Sequence, residues 1–213
     1  MRSPEEVRIG HLALPGQLCT GSNFMGLVVF VHGSGSSRLS PRNAYVATAL
    51  NKHRLATLLF DLLTDTEAAD RGNVFDIELL TLRLCETLAW VGTRRDLAGL
   101  RLGLFGASTG AAAALSAAAR QPERVAAVVS RGGRPDLATG ELARVKAPTL
   151  LIVGADDHEV LRLNRIALQG LQCQKRLEVV TGATHLFEEP GALAAVAALA
   201  GKWFTEHLVR PHL

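Results

Sequence analysis

Short apolar runs alternate with longer amphipathic stretches along most of the chain. Leu27–Val31, Ala56–Phe60, Leu102–Phe105, Val125–Val129 and Leu150–Val153 are continuous, not alternating, and each is followed by glycine, aspartate, histidine or serine. Continuous apolar runs of that length predict strands buried on both faces. Between them lie segments with helical spacing: Asn43–Lys52 behind Pro41, Phe75–Val91, Thr109–Arg120, Leu161–Leu171 and Gly191–Leu208. In the second of these, Ile77, Leu80, Leu84, Leu88 and Val91 recur at three- and four-residue steps. Val7–Cys19 reads as one or two strands turning at Pro15-Gly16, and Lys175–Val180 as the last strand. The alternation predicts an α/β fold: a mostly parallel twisted sheet of about seven or eight strands, with helices on both faces.

The 213 residues suit a single domain spanning 1–213. Apolar residues make up 48% and charged residues 20%, a globular balance. The net charge of +3 comes from scattered Lys and Arg, which argues against a nucleic-acid partner. Cys19, Cys85 and Cys173 lie far apart, with no Cys/His metal spacing, so neither a metal site nor a disulfide framework is expected. Cys85 and Cys173 fall in apolar-patterned segments and are expected as buried thiols. Met1–Gly10 lacks an apolar leader core, and no apolar run approaches the ~18 residues of a membrane span. The expected location is cytoplasmic, without membrane contact.

Ligands of such sheets bind beyond the carboxyl ends of the strands. One strand runs into Gly106-Ala107-Ser108-Thr109-Gly110 and a helix leaves it, the context in which G-x-S-x-G presents a nucleophilic serine. A simpler role for Ser108 is to cap that helix. A serine hydroxyl needs a base, and the base an orienting acid, in the order Ser, Asp or Glu, His. His11, His32 and His53 precede the serine, and His207 and His212 near the C-terminus are expected to be solvated. His185, in the loop Thr181–Phe187 after the last strand, is the expected base. The strand Leu150–Val153 runs into Gly154-Ala155-Asp156-Asp157, and chain order leaves either aspartate as the acid. Asp61 more simply ties down its own loop. For the oxyanion, the Thr109 N–H is one expected donor and the Ser34 N–H, in the loop His32–Ser37, the other. His32 is expected to brace that loop and not to move protons. The loop lacks the Lys of a phosphate-cradling motif, so a nucleotide site fits poorly.

Together, Val31–Ser36 (V-H-G-S-G-S), Gly106–Gly110 (G-A-S-T-G), Gly154–Val160 (G-A-D-D-H-E-V) and Gly182–Phe187 (G-A-T-H-L-F) resemble the α/β-hydrolase superfamily, and within it the small dienelactone-hydrolase-like esterases. The resemblance covers nearly the whole chain. In that family the acid motif reads G-x-x-D-x-x-V, which implies Asp157 over Asp156. It also implies hydrolysis of small or short-acyl carboxylic esters without metal or cofactor. Dienelactone hydrolases proper carry cysteine where Ser108 stands, which shifts the expectation from dienelactones to simple esters. Many relatives insert a lid after the strand Val125–Val129, and Gly132–Gly140 is too short for a large one. Arg131 and Arg134 fit either a preference for anionic substrates or, more simply, solvated or salt-bridged surface charge. The expected partner is a small-molecule ester, with a homodimer left open. Thioesterase, lactonase, peptidase or acyltransferase chemistry with the same triad is the alternative. A non-catalytic hydrolase-fold binding protein is the remote one.

Overall fold

In a computed structural model of the chain, residues 4–209 are described. Eight strands are seen: β1 (Glu5–Ile9), β2 (Leu14–Cys19), β3 (Gly26–Val31), β4 (Leu55–Phe60), β5 (Arg101–Ala107), β6 (Val125–Arg131), β7 (Thr149–Gly154) and β8 (Lys175–Val180). The helices are α1 (Pro41–Lys52), α2 (Asp65–Ala68), α3 (Arg71–Phe75), α4 (Ile77–Thr93), α5 (Thr109–Arg120), α6 (His158–Gly170) and α7 (Ala192–Leu208). The strands form one sheet in the order β1-β2-β4-β3-β5-β6-β7-β8. β2 pairs antiparallel with β1 and β4, and every other pairing is parallel. This is the fold class expected from the alternating pattern.

The continuous apolar runs are explained by helices on both faces. β3, β4 and β7 are buried at every position. Val29 and Val31 of β3 face one core with Leu104, α4 and α5, while Val28 and Phe30 face the other with Phe105, α1 and α7. Phe30 and Phe105 pack with ring centroids 4.9 Å apart. Burying each such ring is worth about 1.5–3 kcal/mol. Ala111–Ala114 of α5 are wholly enclosed, so small side chains let this helix press against the sheet.

Three details differ from the expected elements. The first hairpin turns at Gly10–Ala13, where Ala13 adopts φ +51° and its N–H donates to Gly10 O at 3.2 Å; Pro15 and Gly16 lie inside β2. The helix expected from Phe75 begins at Ile77, because the Asp76 carboxylate accepts the Leu79 N–H at 3.0 Å and caps α4; Phe75 ends the separate α3. Cys85 and Cys173 are half-buried against the margin of the core and not enclosed. Burial still pushes the Cys85 thiol above its usual value. The connection from β6 to β7 holds two short 3-10 turns, Pro135–Ala138 and Leu142–Arg144. Among the described residues, no helix is long and apolar enough to cross a membrane.

Candidate active site

The loops that carry the expected chemistry meet at the carboxyl ends of β3, β5, β6, β7 and β8. Ser108 stands between β5 and α5 with φ +51° and ψ −123°, a left-handed conformation that is strained for a side-chain-bearing residue. The flanking glycines permit it. A Cβ on Gly106 would lie 2.5 Å from Ala111 Cα, and one on Gly110 would lie 2.2 Å from Val31 O. The Ser108 N–H donates to Arg131 O at 3.2 Å, and its carbonyl accepts from the Ala111 and Arg134 N–H groups. Its hydroxyl makes no cap bond to α5, so the role of a simple helix cap is not realised.

The two aspartates are placed differently. Asp157 occupies the N-cap position of α6 without capping it; its Oδ2 instead accepts from His185 Nδ1–H at 2.7 Å. Asp156 is exposed. A proton held on Nδ1 leaves Nε2 as the acceptor, the tautomer a serine hydroxyl needs. The His185 loop is fixed from both sides: Glu189 Oε1 accepts from the Thr184 N–H and hydroxyl, and Phe187, at φ +56°, buries its ring. The last link of a triad is not closed, as no hydrogen bond joins the Ser108 hydroxyl to the imidazole. Ser108 is instead tied to the residue 131–134 loop, where a Cβ on Gly132 would sit 3.5 Å from His185 Nδ1. Catalytic hydrogen bonds are commonly long before substrate arrives.

The two expected oxyanion donors stand differently. Thr109 N–H has no acceptor among the described residues and opens the helix, where orphan amides favour an anion. Ser34 N–H is engaged: it donates to Thr109 Oγ1 at 2.9 Å. That threonine hydroxyl was not foreseen, because its partner is 75 residues away and no local pattern links them. The Ser34 loop nonetheless lies against the nucleophile, since a Cβ on Gly33 would be 2.9 Å from Ser108 Cβ. His32 braces this loop as expected. Its Nε2 accepts the Leu62 N–H at 3.1 Å while Nδ1–H donates to Gly33 O at 3.0 Å. Burial holds its pKa below the usual histidine value. Asp61 ties down the same loop by accepting the Arg38 N–H and guanidinium at 2.6 and 2.5 Å.

A cavity of about 180 Å³ opens beside Ser34, lined by Leu62, Leu63, Val74 and Leu80. Arg134 forks onto Asp136, as a surface pair would, whereas Arg131 is largely buried and unpaired because its strand carries it into the core. His207 is not solvated either: its ring packs against Trp203 at 4.5 Å on the buried side of α7. His212 lies outside the described residues.

Residues 26–151 match the family model described as alpha/beta hydrolase fold. The chain belongs to that family. Within it, the chain is 52% identical to a dienelactone hydrolase from Anabaena variabilis, covering 97% of this chain and 100% of that one, with a TM-score of 0.92. This α/β-hydrolase is thus dienelactone-hydrolase-like. Est1E from Butyrivibrio proteoclasticus shares the fold at 13% identity, covering 96% of this chain and 98% of that one, with a TM-score of 0.81. A protein of Mycobacterium tuberculosis, provisionally named a phosphoribosyl transferase, is 56% identical over 209 residues. Those residues are 97% of this chain but 47% of that protein, so the chain spans about half the length of the curated relatives it matches. The family and its hydrolase neighbours support a hydrolase.

Proposed function

We propose that the chain is a serine hydrolase cleaving small or short-acyl carboxylic esters through Ser108, His185 and Asp157. The observation that carries this reading is the 2.7 Å Asp157–His185 bond, which leaves Nε2 as a base at the same end of the sheet as the strained Ser108. His185 Nε2 takes the Ser108 proton as Oγ attacks the ester carbonyl. The oxyanion is held by Thr109 N–H and by Ser34 N–H once the latter leaves Thr109 Oγ1. His185 then protonates the leaving alcohol while Asp157 steadies the imidazolium. Water hydrolyses the acyl-enzyme by the same steps in reverse. The modest cavity beside Ser34 supports a short acyl group.

Ser108→Ala is expected to abolish p-nitrophenyl acetate turnover and fluorophosphonate labelling, with the circular dichroism spectrum unchanged. Retention of most turnover would reject Ser108. A parallel panel of thioester, lactone and amide substrates ranks the leaving group.

A further inference from the structure

Arg131 ends β6 as a buried cation without a counter-ion. The residue is 7% exposed, and its guanidinium makes no hydrogen bond and no ion pair among the described residues. Its Nε is sealed from solvent without an acceptor, whereas the terminal nitrogens are not sealed. Burial, followed by the charge of nearby Arg42, lowers its pKa to about 10, so it stays charged at neutral pH. The nearest compensation is the Phe187 ring, whose centroid lies 5.8 Å from Cζ. A cation over an aromatic face recovers only part of the desolvation cost of a guanidinium.

Its surroundings are those of the proposed chemistry. The Arg131 carbonyl accepts the Ser108 N–H, and Phe187 is two residues beyond His185. In β6, Arg131 continues the face of Ala127 and Val129, toward α1 and α7. The 180 Å³ cavity is lined from the opposite, α4 side. The neighbouring charge on the α1 side is a second cation. Arg42 reaches Glu188 through one terminal nitrogen at 2.9 Å, and its Nε is likewise sealed without an acceptor. Two neighbouring guanidinium groups, with one exposed carboxylate held by Arg42 alone, form a site short of negative charge. An arginine fork matches a carboxylate or phosphate through paired N–H donors.

We propose that Arg131, assisted by Arg42, binds an oxyanionic group of the substrate, a carboxylate or a phosphate monoester, beside the ester bond that Ser108 attacks. This rests on the serine-hydrolase reading. It assigns the substrate two ends: a short acyl or alkyl part for the α4-side cavity, and an anionic part for the arginine side.

The test compares kcat/KM for three acetate esters: 4-acetoxybenzoate, 4-acetoxyphenyl phosphate and the neutral methyl 4-acetoxybenzoate. At least one anionic ester is expected to be preferred over the neutral one, and which of them is preferred identifies the anion. In Arg131→Met the anionic-to-neutral ratio is expected to fall by about tenfold or more, with Arg131→Lys between, because charge remains but the fork is lost. The ratio cancels any general loss of activity. An unchanged ratio in Arg131→Met, or no anionic preference in the wild type, would overturn the proposal. Should Arg131→Met not fold, calorimetric titration of the wild type and Arg131→Lys with inorganic phosphate and with benzoate decides. Saturable binding weakened in Arg131→Lys supports the site; no binding by the wild type overturns it. If no ester is turned over and Ser108 is not labelled, the hydrolase reading fails. The same titrations still judge the arginine site.

Discussion

Gly154→Ala tests whether the acid and base loops are held together by the close approach of their backbones. Gly154 ends β7, and a methyl there would lie 2.2 Å from Ala183 O, 2.7 Å from Ala183 C and 2.8 Å from Thr184 O. These are main-chain atoms one and two residues before His185, so no side-chain rotation relieves the clash. Restoring ordinary contact requires the His185 loop to retreat by about 1 Å. The same movement stretches the Asp156 N–H to Ala183 O bond, now 3.0 Å, and the Asp157–His185 bond, now 2.7 Å, beyond useful hydrogen-bond length. Misplacing a catalytic group by about 1 Å costs roughly 10²-fold, and loss of the acid's hold on the tautomer raises this toward roughly 10⁴-fold. The expected loss in kcat/KM is therefore about 10²- to 10⁴-fold, or roughly 3–5 kcal/mol of barrier. Overpacking destabilises the fold by only about 1–3 kcal/mol, a drop in Tm of several degrees. Initial rates with p-nitrophenyl acetate, fluorophosphonate labelling rates and a thermal melt separate the two effects. Gly140→Ala is the control, since nothing lies within 4 Å of its Cβ position. Activity of Gly154→Ala within about threefold of wild type would refute the reasoning.

Two further outcomes are expected. Thr109→Val removes the hydroxyl that occupies Ser34 N–H, so that donor no longer has to be released for the oxyanion. A gain of about two- to tenfold in kcat/KM is expected, and a tenfold loss would mean that the hydroxyl positions the loop instead. His32 has a pKa depressed by burial, so native and unfolded states are both neutral above about pH 6.5 and the ring adds no pH dependence there. As pH falls below that value the unfolded state takes up a proton first, and stability drops by up to about 1.4 kcal/mol per pH unit until the folded pKa is reached. Urea midpoints of wild type and His32→Gln between pH 7 and 5 check this, with a flatter profile expected for the variant.

The sheet was readable because strands covered on both faces have no polar side to disguise them. The order of the motifs was likewise carried by where those runs stop. The first hairpin was misread because proline and glycine mimic a turn inside β2, while the true corner uses Ala13, whose type carries no turn signal. Asp156 and Asp157 stand at the same helix start, and only reach across 28 residues of chain distinguishes them. The Ser34–Thr109 bond and the isolation of Arg131 are products of tertiary packing between segments that share no local pattern. Arg131 did carry one overlooked cue: it continues an apolar run that predicts burial on both faces.

β8 is an outermost strand, hydrogen-bonded only to β7, and its side chains are exposed or half-buried throughout. The imidazole hangs from the segment just beyond it. Fraying at that border needs far less free energy than melting the inner strands, which are flanked by neighbours on both sides. The proposed catalysis is thus tethered to an edge rung of the ladder, and gentle warming or dilute denaturant should silence it while most of the backbone amides remain protected from exchange.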